Sequence, residues 1–168
     1  MSYIANFKHA DDIVAHLNTV VPTITDPLLS AKYVGFVSIA SVTVYEVAIK
    51  DIFISFGKNK HSILGEFTES FFQRINGRIS IDTVKKDYVK RFGTKYLSKF
   101  EKNLDSATKL YLKTHGRDIK NSYSNLIIWR NDFAHAGNIN ATSTYAEAVQ
   151  AYEDGKEVIR CLAVTMTK

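Results

Sequence analysis

The sequence predicts an all-α bundle of about six or seven helices, and three observations carry that prediction. Apolar residues recur at i, i+3 and i+4 through almost every segment. Helix start and stop signals punctuate those segments at short intervals. No strand–helix–strand alternation and no hairpin pattern is present.

The elements follow in chain order. Ile4, Phe7, Ala10, Val14, Leu17 and Val21 give a first amphipathic helix. Pro22 to Pro27 reads as a turn, with Asp26 as N-cap and Pro27 at the first helical position. The next helix runs to about Phe56. It is apolar nearly all round (Val34, Phe36, Val37, Val42, Val47, Ile49, Phe53), so it is the expected core helix, with Glu46 and Lys50 as an i,i+4 pair. Gly57 to Lys60 reads as a loop. Ser62 to about Ile75 reads as a short helix with Phe67, Phe71 and Phe72 inward. Asn76-Gly77 is a turn, and Ser80 caps a helix over Ile81–Arg91. After Gly93, the stripe Tyr96, Leu97, Phe100, Leu104, Ala107, Tyr111 marks a long helix that ends before Gly116. Thr144 and Glu147 form a capping box that opens the last helix.

A chain of 168 residues suffices for one domain with a core, expected to span residues 1–168. The lone Cys161 cannot form an internal disulfide and reads as a small buried residue of the last helix, which fits a reducing compartment. His9, Asp11 and Asp12 occupy the place of a signal-peptide core, so none is expected. The uncharged run Tyr33 to Tyr45 is too short to span a bilayer. A cytoplasmic protein without a membrane role is the expectation.

Residues 74–120 carry thirteen Lys/Arg and five Asp/Glu, a balance of +8 within a chain of net charge +5. Such a block suits a polyanion, and a solvated helical face is the plain alternative. Within it, Lys85, Lys86, Lys90 and Arg91 are the expected phosphate contacts.

The segment Trp129-Arg130-Asn131-Asp132-Phe133-Ala134-His135-Ala136-Gly137 stands out. Ile119, Tyr123, Leu126 and Ile127 form an apolar stripe, and Arg130 falls on it. A charge on such a face needs a partner or a purpose. In an unbroken helix positions 130 and 135 lie about 140° apart, so the two side chains converge only if the helix ends or bends near His135. Gly137 is placed to stop it. Glu46, deep in the core helix, is the candidate counter-ion of Arg130 or hydrogen-bond partner of His135; the bland reading is a carboxylate that surfaces at a groove. Paired-Cys spacing, His-Glu-x-x-His, a phosphate loop and a nucleophile elbow are all missing, so no metal or cofactor is expected. An arginine and a histidine without a metal set are a workable kit for cleaving RNA. The histidine moves protons near neutral pH, the arginine stabilises phosphate charge, and the substrate supplies its 2′-OH.

This segment resembles the signature of the HEPN superfamily: Arg, a polar residue that is often Asn, then His. The layout is similar too, with a long apolar second helix carrying an acid, the motif late, and one closing helix. The nearest resemblance is to stand-alone prokaryotic HEPN nucleases of the RiboL-PSP-HEPN or MAE-28990-like kind. The resemblance implies a metal-independent endoribonuclease acting as a homodimer, with both motifs lining one cleft, in a toxin or phage-defence setting. It implies Arg130 and His135 as the catalytic pair and Asn131 as supporting residue, and Asp132 joins Glu46 as a candidate support. A cognate antitoxin or sensor protein is the further partner class. Another branch carries a modifiable tyrosine two positions after the histidine; here that position is Gly137. The rival expectations are a non-catalytic HEPN module that binds RNA, nucleotide or a partner protein, and a purely structural helical dimer.

Overall fold

The computed structural model describes residues 2–136 and 142–167, leaving out the side chains of Ser2, His135 and Ala136. A 3-10 turn, Ser2–Phe7, leads into α1 (Lys8–Val20). The 3-10 turn changes the phase of the N-terminal stripe: Tyr3 and Phe7 are buried, and Ile4 is 58% exposed rather than inward. After a short 3-10 turn, Val21–Thr23, comes α2 (Pro27–Lys60). Its start is as expected, with Asp26 Oδ1 accepting from the backbone N–H of Leu28 at 2.8 Å and of Leu29 at 3.4 Å.

α2 is the central post and packs against α1, α3, α6 and α7. Val34, Val37, Tyr45, Ala48, Ile49 and Phe53 are buried on it. Phe36 and Val47, read as core, face outward at 49% and 41% exposure. α2 also runs through Gly57 to Lys60, where a loop was expected. The reason is packing: a Cβ on Gly57 would lie 2.2 Å from Thr68 Oγ1, so this glycine admits α3 to close approach and does not turn the chain.

α3 (Ser62–Phe72) buries Phe72 and half-buries Phe71, but Phe67 is 61% exposed, against expectation. Asn76-Gly77 turns the chain as expected, with Gly77 at φ +67. Ser80 caps α4 (Ile81–Thr83), its Oγ accepting from Thr83 N–H at 3.1 Å. The expected regular helix over Ile81–Arg91 instead widens to a π-helix over Val84–Tyr88 and closes as 3-10 over Val89–Phe92. Gly93 and Gly116 bound α5 (Thr94–His115). Then α6 (Ile119–Ala136) and α7 (Tyr145–Met166) pack on each other and on α2. The Thr144/Glu147 capping box is present in both halves.

The core joins two aromatic centres. Phe53 stacks on Phe72 at 4.3 Å and on Phe92 at 5.4 Å, fixing α3 and the 3-10 turn to α2. Tyr45 stacks between Tyr123 of α6 and Tyr152 of α7, at 5.4 and 5.9 Å, and donates to the Tyr152 carbonyl. A buried carboxylate, Asp154 of α7, ties in α5 and α6. It accepts from Tyr111 at 2.9 Å, Arg117 at 2.9 Å and Ser122 at 3.0 Å. Burial alone would raise its pKa, but these hydrogen bonds outweigh burial and hold the carboxyl below its ordinary range. Cys161 is buried and free on α7, as expected, and burial pushes its thiol up to about 11. Among the described residues there is no strand, and no helix is long and apolar enough to cross a membrane.

Candidate functional site

α6 begins with Asp118, whose Oδ1 accepts from the N–H of Lys120 and Asn121 at 2.8 and 3.2 Å. Its inward stripe is close to the expected one: Ile119, Tyr123 and Leu126 are buried, Ile127 is half-buried, and Trp129 is buried besides. Arg130 continues that stripe, half-buried. Its guanidinium lies against the Asn76-Gly77 turn. Nη2 donates to the Gly77 carbonyl at 3.2 Å, and a Cβ on Gly77 would lie 3.0 Å from the same nitrogen. Gly77 is therefore required twice, for its positive φ and for the room it leaves the arginine.

That single bond is what Arg130 has among the described residues. Its Nε is buried without an acceptor, and no carboxylate pairs with the guanidinium. A buried N–H of a charged group without an acceptor costs about 1–3 kcal/mol or more, and the described residues leave Arg130 one acceptor short.

Glu46 is not the direct counter-ion of Arg130. One oxygen accepts from the Gly77 N–H at 2.5 Å, and the other pairs with Lys50 at 2.7 Å. The carboxylate thus holds the peptide before the Gly77 Cα, while Arg130 holds the peptide after it. The turn is pinned further by Tyr88, which donates to the Arg78 carbonyl at 2.6 Å, and by Tyr123, which donates to the Ile79 carbonyl at 2.7 Å. Four side chains from three elements, α2, the π turn and α6, therefore fix the loop that seats Arg130.

Asn131 and Asp132 are exposed on α6. Phe133 lies over α2 at Gly35, where a Cβ would meet its ring at 2.2 Å, and packs edge-on against the exposed Phe36 at 5.3 Å. Tyr33 adds a third ring, 5.6 Å from Phe36. The backbone of position 135 belongs to α6, which is unbroken to Ala136. That keeps position 135 in its last turn, as expected; no bend falls before Ala136, so positions 130 and 135 sit about 140° apart around its axis. The His135 side chain, its suggested link to Glu46, and Gly137 lie outside the described residues.

The four expected phosphate contacts divide. Lys85 pairs with Glu101 at 2.8 Å and Lys86 with Asp82 at 2.8 Å, so each already faces an acid. Lys90 is exposed. Arg91 donates to the Asp87 carbonyl at 2.6 Å and lies 4.9 Å over the Phe71 ring. Arg91 lines a groove of about 570 Å³ together with Arg74, Arg78, Phe67 and Phe71. Sequence reasoning missed this groove; the signal was two arginines flanking Asn76-Gly77. Among the described residues no group of three His, Cys, Asp or Glu is placed to hold a metal ion.

A helical domain with an Arg-x4-His segment late in the chain, its arginine seated against a glycine turn, defines a HEPN-type domain. The family model described as RiboL-PSP-HEPN matches residues 5–168, and the chain belongs to that family. HEPN domains are generally associated with ribonucleases, which gives the chain a nuclease or RNA-related role. No curated protein and no solved structure matches the chain.

Proposed function

We infer that the protein is a metal-independent endoribonuclease that works as a homodimer, in a toxin or phage-defence setting. The observation that carries this reading is Arg130: a half-buried guanidinium on an apolar stripe, with one backbone acceptor and a buried Nε that has none. A phosphate would supply acceptors for the guanidinium donors that the Gly77 carbonyl does not engage, and a guanidinium fork suits it. In the proposed reaction the substrate 2′-OH attacks the adjacent phosphorus, and the 5′-oxygen of the next nucleotide leaves. His135 moves a proton in that exchange, and Arg130 stabilises the charge that builds on the phosphoryl oxygens. Asn131 and Asp132, exposed on α6 beside Arg130, are the supporting residues of this reading.

The dimer has its own support. An unbroken α6 separates positions 130 and 135 around the axis, so a composite site built from two copies is the economical arrangement. The ridge Tyr33, Phe36 and Phe133 beside the motif offers aromatic area to a second copy, with Phe36 49% exposed. The same separation favours the second reading, a module that binds RNA without cutting it, should the chain remain a monomer.

A cleavage assay on single-stranded RNA tests the reading. Wild-type protein should leave 2′,3′-cyclic phosphate and 5′-hydroxyl ends, resist chelators and spare DNA, which lacks the attacking hydroxyl. His135→Ala and Arg130→Lys should each lose cleavage. Products with 5′-phosphate ends, or equal cutting of DNA, would overturn the mechanism. RNA binding without cleavage would select the second reading.

A further inference from the structure

The groove beside the Asn76-Gly77 turn has no role in the chemistry above, and its composition is unusual for an idle surface. Phe67 and Phe71 lie with their rings nearly parallel, 13° apart with centroids at 6.4 Å, and Phe67 is 61% exposed. Arg91 covers the Phe71 ring at 4.9 Å. Arg74 and Arg78 are exposed at the groove, and Arg74 makes no ion pair among the described residues. The one acid at the groove is Asp87. Its side chain reaches Arg78 at 3.4 Å, and its carbonyl accepts from Arg91 at 2.6 Å, so it orients two arginines and leaves the groove net cationic.

The backbone is built to make this arrangement. The π turn Val84–Tyr88 inserts a residue into the helix, which rotates everything after it by about 100°. That rotation helps to bring Arg91 over Phe71. The groove also shares a wall with the motif. Arg78 follows Gly77, whose carbonyl accepts from Arg130, and Tyr88 of the π turn holds the Arg78 carbonyl.

We propose that this groove is a subsite for the RNA strand next to the cleaved phosphate, with a base stacking on Phe67 and backbone phosphates meeting Arg74, Arg78 and Arg91. The proposal rests on the ribonuclease reading for the identity of the strand. An exposed ring beside guanidiniums suits a single strand, because every base has a π face and every linkage a charge. A volume of about 570 Å³ is in the range that holds one small ligand, such as a nucleotide.

The test uses full-length His135→Ala protein and a fluorescein-labelled single-stranded RNA oligonucleotide, with binding followed by anisotropy over a salt series. Arg74→Gln with Arg78→Gln should weaken binding at least about ten-fold at low salt and flatten the log–log salt slope by about 1.4, for two single-strand phosphate contacts. Phe67→Ala should weaken binding about ten-fold with the slope unchanged. Lys109→Gln with Lys113→Gln removes the same charge from exposed positions of α5 and serves as control. All replaced side chains are exposed, and thermal melts should match the parent. Equal weakening by control and groove variants, wild-type binding by the groove variants, or no RNA binding at all would overturn the proposal. Groove-dependent binding in a protein whose wild type does not cleave would leave the subsite standing and remove the catalytic reading. Cleavage with no groove dependence would do the reverse.

Discussion

Replacing Glu46 by alanine removes both contacts of a carboxylate whose side chain is 19% exposed. The bond from the Gly77 N–H, at 2.5 Å, is charge-assisted and contributes about 1.5–3 kcal/mol. The Lys50 pair is an i,i+4 contact with both side chains about one-fifth exposed, and screening leaves it about 0.5 kcal/mol. The sum, about 2–3.5 kcal/mol, corresponds to a fall in Tm of about 4–14 °C for a chain of this size. Glu46→Gln keeps an acceptor for Gly77 and loses the charge, so it should cost about 1 kcal/mol. Function should follow the turn. With Gly77 released, the carbonyl that seats Arg130 is no longer fixed, and cleavage by the folded Ala variant should fall about ten-fold or more, since small misplacements at a reacting phosphate are costly. Calorimetry gives the first quantity and single-turnover RNA cleavage below Tm the second. An Ala variant melting within about 2 °C of wild type would refute the Gly77 bridge, and full activity in a destabilised variant would refute its link to Arg130.

Further outcomes follow from the same geometry. Gly77→Ala places a Cβ at φ +67 and 3.0 Å from Arg130 Nη2, so it should cost about 1–2 kcal/mol in denaturant melts and depress cleavage beyond what that loss explains. Gly35→Ala puts a Cβ 2.2 Å from the Phe133 ring, and overpacking there should cost about 1–3 kcal/mol by the same melts. Asp154 has a folded pKa below its unfolded one, so its stabilisation is present above the unfolded carboxylate range, about pH 4, and lost as pH falls through the lower folded value. Acid melts of wild type should therefore steepen below about pH 4, and Asp154→Asn should be less stable at neutral pH with a flatter acid limb. Cys161, buried with its thiol pushed up to about 11, should resist iodoacetamide at pH 7.5 in the native protein and react fully in guanidinium.

Local chemistry made much of the fold legible in the sequence. Asp26 before Pro27, Ser80 before Ile81, and Thr144 with Glu147 cap helices through atoms two or three residues away, so their partners are visible in the string. The stripe from Ile119 to Arg130 is equally local. What was not legible depends on partners far along the chain. Gly57 resembles a turn residue until Thr68 is seen against it. Lys85 resembles a free cation until Glu101 faces it, sixteen positions later. Glu46 and Gly77 meet across thirty-one residues. The π turn has no local signature: Val84 to Tyr88 carries good helical periodicity, and only the packing of Tyr88 and Arg91 against α3 accounts for the extra residue.

The Asn76-Gly77 turn lets the motif and the groove be understood together. An arginine on an apolar stripe would ordinarily be neutralised by a buried carboxylate, and Glu46 is the acid that shares the Gly77 turn with it. Instead Glu46 binds the Gly77 N–H and Arg130 binds the Gly77 carbonyl, so the acid and the base hold the two successive peptides that flank one Cα. A direct pair would occupy the guanidinium fork and compete with any phosphate. Routing the contact through the backbone of Gly77 lets the acid fix the carbonyl that seats the arginine without occupying the guanidinium itself. Gly77 directly precedes Arg78, so a strand lying in the groove would run toward Arg130 along a loop already pinned by Tyr88 and Tyr123. Preorganisation of that kind is what a phosphate-cleaving site needs and what a structural helix end does not.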